Sequence, residues 1–306
     1  MTTASLSKPL RGIVPPLITP LLDRDTLNRE GLERLIERVI GGGVHGLFIL
    51  GTSGEAPSLS YRLRREVIEH TCRQVRGRMP VLVGITDTSF VESVSLAHVA
   101  AEAGAQAVVS SSPYYFPAGQ PELLEFIERL VPELPLPLFL YNMPQMTKTQ
   151  FSPDTLRRVT HLDGIVGIKD SSGDLAYFDQ LLDIASQRPG RSLFVGPEHL
   201  LVETLSRGGH GGVNGGAQIE PRLFVELYEA AMRRDEARVA ALQERLLLLG
   251  RIYQVGQHAS TVIKGMKCAL SLLGVCDDFM AEPFHRFRQP ERERVRQTLM
   301  ELGMLS

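Results

Sequence analysis

Eight short apolar runs alternate with amphipathic stretches over the first 220 residues, a pattern that predicts an α/β fold: a (β/α)₈ TIM barrel with a C-terminal helical appendage. The runs are Gly12 to Ile18, Gly46 to Leu50, Val81 to Ile85, Ala107 to Ser111, Leu138 to Tyr141, Ile165 to Lys169, Leu193 to Val195 and Gly211 to Asn214. Most are rich in Val, Ile or Leu and bounded by Gly, Pro or Ser, as strands buried on both faces of a parallel sheet are. The competing architecture is an open doubly wound sheet. The regularity of the eight units favours closure through right-handed crossovers.

The stretches between the runs read as helices. In Asn28 to Ile40, Leu32, Leu35, Ile36, Val39 and Ile40 follow helical spacing, and Gly41, Gly42 and Gly43 stop it. Ser89 to Ala103 repeats the device and ends at Gly104, while Ser152-Pro153 is an N-cap followed by proline at the first helical position. After Glu220-Pro221 the alternation ends. Leu223 to Met232, Ala237 to Leu249, Ala259 to Leu273 and Glu291 to Leu302 all read as helices. The expected division is a catalytic barrel over 1–220 and a helical region over 221–306.

Composition narrows the function. The formal net charge of −2 supplies no global field for nucleic acid or anionic lipid. Cys72, Cys268 and Cys276 form no C-x-x-C pair and read as buried free thiols of a reducing compartment. Pro15, Pro16 and Pro20 interrupt the first apolar stretch, which therefore does not read as a secretory leader. No window is apolar enough to span a membrane, and the expected location is the cytoplasm. The eight histidines show no metal-ligand spacing and no G-x-G-x-x-G follows a strand, so neither metal nor cofactor is expected.

Chemistry in this fold stands where the strands end. In the sixth run, period-two geometry puts Ile165, Gly167 and Lys169 on one face, with Gly167 leaving space beside the lysine. If that face points inward, desolvation lowers the lysine pKa and frees a neutral amine to attack a ketone. The plain alternative is a strand-end lysine paired with Asp170 or with solvent. Tyr141 ends the adjacent run and is either a proton carrier or a tyrosine at the rim of the core. Gly51-Thr52-Ser53-Gly54-Glu55 offers hydroxyls and backbone amides before a helix expected near Ser58, which is either an anion site or an ordinary strand-to-helix turn. The glycine-dense Gly208 to Gly216 is a phosphate cradle or, preferably, a strand passing close to a neighbour, because no basic residue is placed to assist a phosphate.

In order and spacing these pieces resemble the dihydrodipicolinate synthase and N-acetylneuraminate lyase family of class I aldolases, over almost the whole chain. The matching segments are Gly51-Thr52-Ser53-Gly54-Glu55, Ser112-Pro113-Tyr114-Tyr115, Tyr141-Asn142-x-Pro144, Gly167-Ile168-Lys169-Asp170, Gly208-Gly209-x-Gly211 and Ile263-Lys264 to Leu273-Gly274. The resemblance implies that Lys169 forms an imine with a 2-oxo acid and that Tyr141 relays protons. It implies that Thr52 and Ser53, next to Gly51, hold the substrate carboxylate. Tyr115 matches a tyrosine that completes the relay in a neighbouring subunit, and Val213 lines the imine pocket. A homotetramer, a dimer of dimers, is implied too.

The sequence also departs from the family. Synthases carry an arginine where this chain has Met146, and a thioether cannot grip a carboxylate as a guanidinium does; Lys148 stands nearby. At the synthases' feedback site this chain has Tyr61, Arg64 and Thr88, so inhibition by lysine is not expected. The lyases' hydroxyl residue near Gly215 is missing, whereas Thr147, Glu198 and Asn214 are available to a polyol tail; Glu198 otherwise reads as an acid at a helix N-terminus. The expected function is a Schiff-base-forming aldolase or dehydratase for pyruvate or a hydroxylated 2-oxo acid, such as a 2-keto-3-deoxy sugar acid or 4-hydroxy-2-oxoglutarate. The alternatives are a 4-hydroxy-tetrahydrodipicolinate synthase condensing pyruvate with aspartate semialdehyde, a non-catalytic 2-oxo acid binding protein, and a sugar-phosphate enzyme using the glycine-rich eighth strand.

Overall fold

The computed structural model describes residues 6–305. Eight parallel strands follow one another in chain order: β1 (Gly12–Ile13), β2 (Leu47–Ile49), β3 (Val81–Gly84), β4 (Ala107–Ser111), β5 (Leu138–Asn142), β6 (Ile165–Asp170), β7 (Ser192–Val195) and β8 (Gly211–Gly212). β8 returns to pair with β1. The ring closes on the other side of β1, where Pro16 bridges Phe48. There Leu17 N–H donates to the Phe48 carbonyl at 2.8 Å and Phe48 N–H to the Pro15 carbonyl at 3.0 Å. The expected barrel, and not the open sheet, is the fold. The first run is mostly lost as regular strand because its prolines supply no N–H to a ladder.

Helices α1 (Arg29–Gly41), α2 (Tyr61–Val75), α3 (Phe90–Ala103), α4 (Gln120–Glu133), α5 (Pro153–Val159), α6 (Leu175–Ser186), α7 (Leu201–Ser206) and α8 (Pro221–Arg233) follow the strands in turn. Asn28, Ser89 and Ser152 accept the first-turn amides of Gly31, Glu92 and Thr155 as N-caps. α8 packs on β1 and α7 and takes the eighth place in the ring. α9 (Glu236–Gly250), α10 (Thr261–Leu272) and α11 (Gln289–Glu301) make up the C-terminal helical region. No helix among the described residues is long and apolar enough to cross a membrane.

The strands divide the core into two layers. Val14, Phe48, Leu82, Val109, Phe139, Tyr141, Val166, Phe194 and Val213 fill the barrel, while Ile13, Leu47, Val83, Leu140, Ile165 and Ile168 join the layer under the helices. This corrects the expected alternation in β6. The β5–β6 register shifts after Leu138↔Ile165, so that Phe139 faces Gly167 and Tyr141 faces Lys169. One extra residue turns Val166 inward and leaves Ile165 outside. Gly167 does not leave room either, since a Cβ there would stand 2.4 Å from the Phe139 ring and 2.8 Å from the Ser192 carbonyl.

Two further differences are local. A hairpin of Leu21–Asp23 against Thr26–Leu27 follows β1, built on the buried Leu21 and Leu27. The helix expected near Ser58 begins at Tyr61, after a 3₁₀ turn at Ala56–Ser58. In the glycine-rich eighth strand, a Cβ on Gly211 would lie 1.9 Å from the Gly12 carbonyl. Close passage, not a phosphate cradle, is what those glycines serve.

Gly84 illustrates the same constraint at the edge of the site. A Cβ there would sit 2.1 Å from the Leu50 carbonyl oxygen, backbone against backbone. Gly84→Ala is expected to cost roughly 1–3 kcal/mol, measured by chemical denaturation. An unchanged midpoint would mean that the Leu50 segment yields freely.

Candidate active site

The β5–β6 register sets the centre by bringing Tyr141 and Lys169 side by side. The Lys169 ammonium lies 3.9 Å from the centroid of the Tyr141 ring and 5.2 Å from that of Phe48. Both residues are 6% exposed. Lys169 has no ion pair among the described residues. Asp170 is turned away from it and accepts from Asn142 Nδ2 at 2.8 Å and Ser172 Oγ at 2.8 Å. The plain alternative of a Lys169–Asp170 pair is therefore not what forms.

The Tyr141 hydroxyl stands 3.4 Å from Thr52 Oγ1. Burial alone would raise its pKa. The Lys169 ammonium outweighs that, with hydrogen bonds from Thr52, Ser171 and Lys169, and the phenol is held below its ordinary value. Such a phenol, beside an amine, can carry protons.

Thr52 and Ser53 sit on the turn after β2. Gly54 N–H and Glu55 N–H bond back to the Gly51 and Thr52 carbonyls. The amides of Thr52 and Ser53 have no acceptor among the described residues, so two donors and two hydroxyls are left for an anion. The intervening 3₁₀ turn separates this site from α2, whose N-terminus is capped by Ser60.

A cavity of about 480 Å³ opens above Lys169, lined by Thr52, Ser53, Tyr141, Met146, Glu198 and Val213 among others. A neighbouring one of about 470 Å³ adds Gly51 and Thr147 and shares Thr52, Tyr141 and Met146. Thr147 spends its hydroxyl on the Met143 and Thr149 carbonyls. Lys148 is exposed and lines neither cavity. Asn214 is fully buried, donates to the Gly196 carbonyl at 3.0 Å and does not line the cavities. Tyr115 is 74% exposed beside Phe116 and stands outside both.

Glu198 is a different kind of group. Its Oε1 accepts from both Gly216 N–H and the Tyr253 hydroxyl, the latter at 3.0 Å. Its Oε2 is buried without a partner among the described residues. Sequence reasoning did not find Tyr253, nor Ser171, Ile263 and Met266, which also line the cavity. Helical periodicity gave a helix containing Ile263 and Met266, but no motif marked which of its faces meets the barrel. No group of three or more His, Cys, Asp or Glu among the described residues is placed to hold a metal ion. The three cysteines are buried and free, their thiols pushed up by burial to about 12 for Cys72, 11 for Cys268 and 12 for Cys276.

A profile of the dihydrodipicolinate synthetase family matches residues 9–302. Among solved structures, a dihydrodipicolinate synthase from Bacteroides thetaiotaomicron is 55% identical with a TM-score of 0.93, covering 96% of this chain and 99% of that one. YagE, an Escherichia coli K12 prophage protein of the dihydrodipicolinic acid synthase family solved in complex with pyruvate, is 27% identical with a TM-score of 0.91 over 96% and 99% of the two chains. Among curated relatives, the probable 2-dehydro-3-deoxy-D-pentonate aldolase YjhH of Escherichia coli K12 is 33% identical over 264 residues, 85% of this chain and 88% of that one.

Burial pushes the Glu198 carboxyl up to about 7, although hydrogen bonds from Gly216 and Tyr253 oppose it. In the unfolded chain it ionises near its ordinary 4.5. Between those values the folded chain keeps a proton that the unfolded chain releases, so rising pH removes stability across that window. The thermal midpoint of Glu198→Gln, relative to wild type, should therefore climb from about pH 5 to about pH 7 and level off above. A difference independent of pH would mean that the carboxyl is ionised throughout.

Proposed function

The chain belongs to the dihydrodipicolinate synthetase family and is a Schiff-base-forming lyase of the class I aldolase type, and we propose that Lys169 is its imine-forming amine and a hydroxylated 2-oxo acid its substrate. The observation that carries the assignment is Lys169 itself, a buried amine without an ion-pair partner, set against Tyr141 at the mouth of the barrel.

In this reading the amine adds to the C2 ketone, and water leaves as Tyr141 returns a proton to the carbinolamine oxygen. The protonated imine draws electrons from C3. Cleavage of C3–C4 then releases an aldehyde, provided the C4 hydroxyl gives up its proton; loss of a C3 proton and a hydroxyl instead eliminates water. Thr52 and Ser53 hold the carboxylate through hydroxyls and amides, which fixes C2 above the amine. Val213 keeps the imine pocket apolar, and Glu198 offers its free oxygen to a hydroxyl of the tail.

The outer wall supports a substrate with a single carboxylate. Apart from Lys169, only His199 among the lining residues of the main cavity can carry positive charge, and Met146 stands where an arginine would grip a second carboxylate. A second reading, condensation of pyruvate with aspartate semialdehyde, has the name of the 55% identical relative in its favour. The lack of a cation at Met146 weighs against it. Retention of both Lys169 and Tyr141 weighs against a non-catalytic binding protein.

Borohydride with pyruvate is expected to leave a reduced adduct on the Lys169 peptide and none in Lys169→Ala, by peptide mass spectrometry. Tyr141→Phe should lower turnover by about 10²-fold or more. No adduct with pyruvate or with longer 2-oxo acids, in folded protein, would remove the imine assignment. A coupled assay with aspartate semialdehyde, run beside 2-keto-3-deoxy sugar acids, separates the two substrate readings.

We take the protein to be a cytoplasmic homotetramer in which the exposed Tyr115 reaches a neighbour's site. The barrel and the helical region are read as parts of one protomer, divided between α8 and α9 and not at 220 as the sequence pattern suggests. Light scattering should give four chains per particle, and Tyr115→Ala should slow turnover while leaving adduct formation in place. A fully active monomer would refute this assembly.

A further inference from the structure

We propose that Glu55 and Lys267 are positioning residues: their buried ion pair clamps the turn after β2 onto helix α10 and thereby sets the donors of Thr52 and Ser53. The inference rests on the reading of those two residues as holders of the substrate carboxylate.

The pair is isolated from water, with Glu55 3% and Lys267 0% exposed. Glu55 Oε2 faces the Lys267 ammonium. Glu55 Oε1 accepts from Ala281 N–H at 2.9 Å, and Lys267 also donates to the Phe279 carbonyl at 2.6 Å. One side chain at the end of the turn is thus tied to α10 and to the segment that follows it.

The turn needs such a tie. It begins and ends on non-glycine residues in the left-handed region, Leu50 at φ 57° and Glu55 at φ 55°. Residues of these types stay there only where their surroundings insist on it. A side chain also ties the turn's backbone, with Thr19 Oγ1 donating to the Gly54 carbonyl at 2.8 Å.

The other end of the clamp matters as much. Lys267 follows Met266 on α10, and Met266 and Ile263 form part of the wall of the main cavity. The helix that borders the substrate's tail is therefore fastened to the turn that holds its carboxylate. A buried ion pair contributes little net stability compared with apolar side chains of the same size. Stability alone gives no reason for charges at this point, whereas fixed geometry does.

The test uses the full-length protein and reads KM and kcat for the 2-keto-3-deoxy sugar acid it turns over, the pyruvate dependence of borohydride trapping at Lys169, and the thermal midpoint. Glu55→Gln alone strands a buried ammonium and can unfold the chain. The main variant is therefore the double Glu55→Met/Lys267→Met, which replaces both charges with apolar chains and is expected to stay folded, its midpoint lowered only by the lost bonds to Ala281 N–H and the Phe279 carbonyl. Its KM and half-trapping concentration should rise about tenfold or more with kcat within about threefold, the pattern of lost ground-state and transition-state binding alike. Glu55→Asp, one methylene short of the lysine, is the second variant and should raise KM at least about threefold at a preserved midpoint. A wild-type KM in either folded variant overturns the positioning role. Wild-type protein that gives no adduct with pyruvate or longer 2-oxo acids removes the imine assignment and the carboxylate reading with it, whereas a wild-type adduct with unchanged concentration dependence in the double variant removes the clamp alone.

Discussion

Closing eight parallel strands into a ring leaves one place, the mouth at their C-terminal ends, where side chains from distant parts of the chain converge. Thr52 and Tyr141 are 89 residues apart in sequence and 3.4 Å apart in space. The ring also fills its own interior. Phe48, Phe139, Phe194 and Val166 occupy the barrel beneath the mouth, so Lys169 rests on an apolar floor. Each strand end can offer one or two residues, and the closure hydrogen bonds at Pro15, Leu17 and Phe48 fix how those ends face one another.

Against that apolar background, the treatment of charge helps to mark the site. Arg64 and Asp87 are both buried and pair at 2.7 Å, with the Tyr61 hydroxyl donating to the same carboxylate. Asp170 is buried too, and its carboxyl is raised by burial but satisfied by Asn142 and Ser172. Glu55 and Lys267 answer each other. An unanswered buried charge costs several kcal/mol, and these three groups avoid that cost. Arg191, Glu220 and Glu291 keep buried atoms without a hydrogen-bond partner elsewhere, but Lys169, without a counter-ion among the described residues, and Glu198, with one oxygen unanswered, stand together. Both line the same cavity. Under-partnered groups gathered in one cleft are what chemistry requires and folding does not.

How much of this could be read beforehand depended on whether the information was local. The barrel was legible because each strand and helix carries its own periodicity and boundaries, as the caps at Asn28, Ser89 and Ser152 show. Lys169 and Tyr141 were legible because each ends an apolar run. The inward turn of Val166 was not, because it depends on one extra residue relative to β5 and not on the composition of β6. Nor was the partnership of Glu198 with Tyr253, which joins residues 55 apart across two parts of the fold. Asn214 shows the opposite error. A polar residue at a strand end looked available to substrate, but the turn folds it back onto the Gly196 carbonyl.

The two halves of the cavity are under different constraints. The floor and the turn after β2 are fixed by the ring: Gly84 admits no side chain under Leu50, Tyr141 is held opposite Lys169 by register, and Thr52 and Ser53 sit on a turn strained at both ends. Changes there would disturb imine chemistry for every substrate alike. The outer wall draws instead on Leu246, Tyr253, Ile263 and Met266 in the helical region and on Met146 in the turn after β5. None of these shares a strand with Lys169, so they can vary without moving the amine. In the proposed reading, a methionine in place of a cation at 146 and the Glu198 carboxyl act on the part of the substrate beyond C3, once the 2-oxo acid is fixed at Lys169. Selectivity in such a site comes from what the outer wall leaves unpaired. A second carboxylate would find no partner at Met146, whereas a hydroxyl meets a Glu198 oxygen that the folded chain itself does not satisfy.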